Sequence, residues 1–317
     1  RGARRLRGSV PSMLEIVAKA LSLVAVVGIG LGIKRLGWAT KDDFTLFSRL
    51  VLTVTLPCAL ITSFNGYTLD RALLTLTALG LGLGVAQQAL AYLLTLRHPR
   101  RERAFAVLHG GNFNIGAFAT PYIGGFMGPQ AMIYSTLFDI GGAFAGAGTG
   151  YALGMSLAGE PGGHRLRDVV RTLSRSSVFV TYLGLLLLKL FDLRLPDLVI
   201  TFTSVIGAAN PFLAMLMIGI GLELDLDAGK YRTAARLLAI RYASAAVAAV
   251  VFWTLLPFPT EVRLVLVMVV FSPIAAMIAG FTGKAGLDVQ LSAFMTSVSL
   301  VIGIVAMPVL FLVLHAA

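Results

Sequence analysis

The chain has 317 residues, of which 57% are apolar and 13% charged, where a soluble surface of this size needs roughly 25% charge. A soluble globular domain is thereby excluded, and the net charge of +11 falls in short segments between apolar runs, as orientation signals do, so nucleic acid is not an expected partner. One cysteine, Cys58, lies within an apolar run, and His98, His109, His164 and His315 are scattered, so neither a disulfide framework nor a metal site is expected.

Arg1, Arg4, Arg5 and Arg7 open the chain. The apolar run that follows is of helix-spanning length and lacks a small-residue cleavage site, so it reads as a first span rather than a removable signal. Residues 1–12 are expected to be an extension or tag ahead of Met13. Ten spans then follow in chain order: 16–33, 44–64, 72–96, 104–127, 131–157, 178–193, 198–222, 237–256, 264–281 and 291–314. Crossing about 30 Å of hydrocarbon takes close to twenty apolar residues per helix, and each helix pairs its own backbone polar groups. The expected fold is an all-α polytopic membrane protein.

Residues 158–177 form the longest polar interruption and divide five spans (13–157) from five (178–317). Leu166, Val169, Val170 and Leu173 share one helical face there, with Arg165, Arg167, Arg171 and Arg175 around them. That pattern predicts a short basic amphipathic helix on anionic membrane lipids; the alternative is a solvated linker. Lysine and arginine concentrate in the loops after odd-numbered spans, from Lys34, Arg35, Lys41 and Arg49 to Lys230, Arg232, Arg236 and Lys284. Those loops should be cytoplasmic and both termini external.

Pro57 in span 2 and Pro121 in span 4 are spaced much like Pro211 in span 7 and Pro273 in span 9. The text around them rhymes, Ala119-Thr120-Pro121-Tyr122-Ile123-Gly124-Gly125 beside Phe271-Ser272-Pro273-Ile274-Ala275-Ala276-Met277. Five-helix halves in tandem are inverted relative to each other, and matched broken helices in inverted halves point to a transport site near the midplane. Prolines that merely kink helices are the plainer alternative.

Span 4 carries Gly110, Gly111, Asn112, Phe113, Asn114, Ile115 and Gly116 ahead of Pro121. Breaks near Pro121 and Pro273 would bring two half-helix N-termini face to face, an arrangement that favours an anion such as a carboxylate. Asn112, Asn114, Gly116, Thr120, Pro121, Ser272 and Pro273 are therefore the expected substrate-binding residues; helix packing and interhelical amide bonds are the alternative. Asp139, deep in span 5, is expensive to bury, and its roles are cation binding, proton coupling or a structural hydrogen bond. Gln87, beside Gln88, and Asn210 are further coupling-ion candidates. Arg241, inside span 8, reads either as the partner of a carboxylate or as a residue that snorkels to the interface, and Lys189 reads as an interfacial anchor. No phosphate-binding Gly-Lys-Ser/Thr loop, His-Glu-x-x-His or Gly-x-Ser-x-Gly occurs in the chain, so an enzyme and an organic cofactor are not expected.

The stretch Gly111-Asn112-Phe113-Asn114-Ile115-Gly116, then Pro121, Met127-Gly128-Pro129-Gln130-Ala131-Met132 and Leu137-Phe138-Asp139, resembles the auxin efflux carrier family. The resemblance is sharpest over about 30 residues and extends more loosely to ten helices in two halves. It implies a fold related to bile acid sodium symporters, with crossing broken helices 4 and 9. Helices 1, 2, 6 and 7 would form a scaffold and helices 3–5 and 8–10 a mobile domain, working as an elevator, usually in a homodimer. Pro121 and Pro273 would mark the crossovers, Asn112 and Asn114 would lie beside the substrate, and Asp139 would match the acid of the family's Leu-Phe-Asp segment. Two departures stand out: Ala117 replaces an asparagine four residues before the proline, and Gly142 an asparagine shortly after the aspartate. The short central loop fits the bacterial inner-membrane permeases of the family better than its long-looped plant exporters. The expectation is a secondary carrier of a small organic anion, malonate-like or auxin-like, coupled to a proton or sodium. A sodium-coupled symporter of the bile acid type and a non-transporting membrane sensor are the alternatives.

Overall fold

A computed structural model describes residues 13–65, 67–68, 70–160 and 166–316. Residues 1–12 and 161–165, which hold the expected extension and part of the linker, lie outside the described residues. The first helix, α1, spans Met13–Arg35. A continuous rod follows: α2 (Lys41–Leu50), a π-helical stretch Val51–Thr55, and α3 (Leu56–Asn65). The wide π turn falls just before Pro57, whose missing N–H and bulky ring would disrupt a regular α turn there. A 3-10 turn, Arg71–Leu74, leads into α4 (Thr75–Leu94).

Next come α5 (Arg100–Gly110), a non-helical break, a π stretch Ile115–Ala119, and α6 (Thr120–Met127). Helix α7 (Pro129–Phe144), a glycine-rich π stretch Ala145–Gly150 and α8 (Tyr151–Ala158) run without interruption. The amphipathic segment forms α9 (Leu166–Ser174), with Leu173 buried and Val170 exposed. The second half holds α10 (Ser177–Leu190), α11 (Asp197–Gly207), α12 (Asn210–Gly221) and α13 (Tyr231–Leu255). It ends with α14 (Thr260–Val269), α15 (Met277–Lys284) and α16 (Val289–Ala316).

Among the described residues six helical stretches are long and apolar enough to cross a membrane: Val17–Arg35, Asp42–Asn65, Ala72–Leu94, Asp197–Gly221, Ala228–Leu255 and Val289–His315. Leu198, Val205, Val247 and Val250 stand exposed on these helices, a surface suited to lipid rather than water. The chain is therefore an all-helical protein with the helices of a multi-pass membrane protein. The remaining expected spans fall on the shorter α10, on the α7–α8 rod and on two interrupted segments, α5–α6 and α14–α15.

Helices pack in two groups. In one, α1 lies along α12, and α3 lies against α10 and α11. In the other, α4 packs on α5 and α7, α5 on α8, and α14 on α7, α13 and α16. Within a bilayer small residues set how closely helices approach. Gly30 of α1 and Gly219 of α12 face each other so closely that a Cβ on Gly30 would stand 3.0 Å from Cα of Gly219. Gly80 of α4 and Gly141 of α7 do the same, each lying against a backbone carbonyl of the other helix, those of Phe138 and Thr77.

The loops gather at two ends. At one end Lys34 Nζ donates to the Leu222 carbonyl at 2.6 Å, and Lys230 pairs with Asp227 at 2.9 Å and Asp288 at 2.8 Å. Arg236 joins Glu102 and His98 there, and Arg101 reaches the Gly286 carbonyl. At the other end Lys189 Nζ donates to the Asn65 carbonyl at 2.9 Å, and Arg263 Nη1 donates to Trp253 at 2.8 Å.

Candidate functional site

Two helices break, and the breaks touch. Between Gly110 and Ile115 the chain leaves helical geometry, and it does so again between Val269 and Met277. Phe113 and Ile274 form an isolated antiparallel bridge, in which the Asn114 N–H donates to the Pro273 carbonyl at 2.8 Å. The Ile274 N–H donates to Ser299 Oγ of α16 at 2.9 Å. Proline at 273 cannot donate to a helical ladder, and glycines at 110 and 111 relax the chain where α5 ends. A second reason for glycine at 111 is space, since its position lies directly against the Gly84 carbonyl of α4.

Arg241, in the middle of α13, closes the junction. Its Nη1 donates to the carbonyls of His109 (2.9 Å) and Gly110 (3.0 Å). Its Nη2 donates to those of Asn112 (3.0 Å), Ser272 (3.0 Å) and Pro273 (3.3 Å). The guanidinium also lies 4.8 Å from the Phe113 ring centroid. These carbonyls belong to the C-terminal ends of α5 and α14, where the helix dipole is negative and intrahelical donors run out, so a cation is well placed. Arg241 is 3% exposed, so it does not snorkel to the interface, and its hydrogen-bond partners among the described residues are carbonyls rather than a carboxylate.

The expected substrate residues separate. Asn112 is buried with its Nδ2 donating to the Leu108 carbonyl at 2.7 Å and its side chain set against Gly146 of α7–α8. Its amide donor is turned back onto α5, and the side chain packs against the π stretch between α7 and α8. Asn114 is 8% exposed, and its side-chain amide makes no hydrogen bond among the described residues. Ser272 Oγ is likewise buried without a partner. Thr120 Oγ1 lies 3.0 Å from Ser135 Oγ, and Pro121 sits in the first turn of α6, where a missing N–H is harmless. The carbonyl of Pro273 is shared between Asn114 and Arg241.

Asp139 of α7 reaches the first break from the side. Tyr182 of α10 donates its hydroxyl to Asp139 Oδ2 at 3.0 Å, and the Gly116 N–H is directed at the same carboxylate. A Cβ on Gly116 would stand 2.9 Å from the Tyr182 oxygen and 3.3 Å from Asp139 Oδ2, so the contact depends on glycine there. Gln87 and Asn210 lie elsewhere. Gln87 Nε2 donates to Ser244 Oγ of α13 at 3.1 Å, with its Oε1 unpartnered. Asn210 Oδ1 accepts from Thr55 Oγ1 at 2.9 Å, joining α12 to the π stretch ahead of Pro57. Neither bonds to Asp139 or to Asn114.

Two residues of the site escape a reading of the sequence. An arginine in mid-span signals itself as costly, but nothing in the sequence says that five carbonyls wait for it. Tyr182 sits in a leucine-rich run and carries no signal at all. No protein-family profile matches the chain, and no curated protein matches it.

Proposed function

We propose that the chain is a secondary carrier with ten spans in two inverted halves, in which α5–α6 and α14–α15 are crossing broken helices that bind a small organic anion. The observation that carries this reading is the junction itself, two helix breaks bridged by Phe113 and Ile274 and held by one arginine. The starts of the following segments, Ile115–Ala119 and Met277–Lys284, carry positive dipole ends, and in the second the Ile278 and Ala279 N–H groups turn back onto the Ala275 and Ala276 carbonyls at 3.0 and 3.3 Å. Asn114, 8% exposed and with no side-chain partner among the described residues, adds a side-chain donor and acceptor at the same place. The helix grouping supports a scaffold of α1–α3 and α10–α12, against which the other helices slide. The likeness of residues 111–139 to auxin efflux carriers points to a carboxylate.

The test is stabilisation of the purified protein against heat by small carboxylates, with and without sodium, because a ligand that binds only the folded state raises apparent stability. A carboxylate should raise the melting temperature of wild type and of Asn112→Ala, but not of Asn114→Ala. No carboxylate response in wild type rejects the anion reading, and stabilisation by sodium alone favours a bile-acid-type symporter.

A further inference from the structure

The helix end offered to the substrate already holds an anion. Asp139 brings its carboxylate to the Gly116 amide at the start of Ile115–Ala119, and Tyr182 donates to the same carboxylate from α10. Among the described residues no cation pairs with it. Arg241 bonds to the carbonyls of the breaks, and Arg263 of α14 bonds to the Trp253 carbonyl at the far end. The other titratable groups that the described elements packed on α7 bring are Lys189 of α10, which donates to the Asn65 carbonyl at 2.9 Å, Cys58 of α3, Tyr92 of α4, Tyr122 of α6, Glu261 of α14, and Arg167 and Arg171 of α9. Tyr122 donates to the Ile304 carbonyl at 2.9 Å, and none of these groups pairs with Asp139 among the described residues. Tyr182 is therefore the titratable group that faces it, with the hydroxyls of Thr120 and Thr136 next to the phenol.

We infer that an anion enters this helix end only as Asp139 takes up one proton and releases Tyr182, which makes the carrier a proton–anion symporter. The inference rests on the anion reading and names its coupling ion. Two negative charges sharing one dry helix end repel strongly, and the exchange removes one of them. The proton comes from the water that admits the anion and bonds to Oδ2. Tyr182 keeps its own proton and turns to Thr120 or Thr136, and for a monoanion the net charge of the site is unchanged. Asp139 and Tyr182 stand on the two helix groups proposed to slide, so the same exchange breaks a hydrogen bond between them. Tyr182 acts as a positioning residue, through Asp139.

Pyruvate and benzoate, both ionised from about pH 5.5 to 8, serve as probes because any pH dependence then belongs to the protein. Binding is followed by calorimetry on the purified full chain. Uptake of one proton predicts that the apparent Kd weakens about tenfold per pH unit above a midpoint. In Asp139→Asn the Kd should not vary with pH. In Tyr182→Phe, which changes no charge, the pH dependence should persist with its midpoint moved upward, because the carboxylate has lost a donor that favours its ionised form. This variant decides the matter if Asp139→Asn does not fold. A wild-type Kd that ignores pH, an Asp139→Asn profile like that of wild type, or an unmoved midpoint in Tyr182→Phe overturns the inference and leaves the anion reading standing. No binding of either probe at any pH, together with no carboxylate response in the heat-stability panel, removes both.

Discussion

An arginine buried away from water and carboxylates is stable only where neutral dipoles replace its hydration. Arg241 meets that condition through five carbonyl oxygens, and those of His109, Gly110, Asn112 and Ser272 would lose this donor in a dry junction if the guanidinium were removed, while Pro273 would keep the Asn114 N–H. Arg241→Met should therefore lose roughly 3 kcal/mol of stability or more, read as a lower melting temperature in detergent. Arg241→Lys is the sharper variant, since a single ammonium has three donors and no planar fork to span two chains. It should recover part of the stability but not anion binding, because the two breaks lose their register. Normal binding in the lysine variant would mean that charge alone suffices and that the fork geometry does no positioning. At this scale the sequence reveals only half of each interaction. Asp139 and Arg241 can be seen as costly, whereas their partners are backbone groups and a tyrosine more than forty positions away, and no local pattern encodes those.

Helices in this chain are legible because their apolar runs are long and because proline marks where they fail. Pro57, Pro121, Pro211 and Pro273 all fall at or beside irregular turns: two π stretches, the turn between α11 and α12, and the second break. The π stretch at Ala145–Gly150 has no proline, and only its glycine-rich composition hints at it. Glycine spacing is ambiguous in the same way, because sequence does not distinguish a glycine facing lipid from one facing a neighbouring backbone. Gly80 and Gly82, both in α4, make the difference measurable. A Cβ at Gly80 would collide with the Phe138 carbonyl, whereas nothing lies within 4 Å of one at Gly82. Gly82→Ala should stabilise the protein by about 0.5–1 kcal/mol through helix propensity. Gly80→Ala should destabilise it by roughly 2 kcal/mol, since α4 and α7 must part to admit the methyl. Thermal melts of the two variants in the same detergent test this, and equal effects would mean that α4 and α7 are not so close.

Across the whole molecule, the count of basic residues by loop and the three-dimensional grouping of those loops are independent facts that agree. Lys34, Arg101, Lys230 and Arg236 come from loops or helix starts after spans 1, 3 and 7, and their bonds lie at one end of the bundle. The other end holds Lys189 and Arg263, each bonded to a carbonyl. On the carrier reading proposed above, retention of positive loops in the cytoplasm would make the first end internal. Cysteines placed singly at Arg100 and Arg194 in a Cys58→Ser background read the orientation directly. Arg100→Cys should react with a membrane-impermeant maleimide only after the membrane is opened, and Arg194→Cys should react in intact cells. The reverse pattern would invert the proposed carrier, and the proton of the proposed symport would then enter from the opposite side at each step. Labelling of both positions in intact cells would break the link between loop charge and sidedness on which the orientation rests.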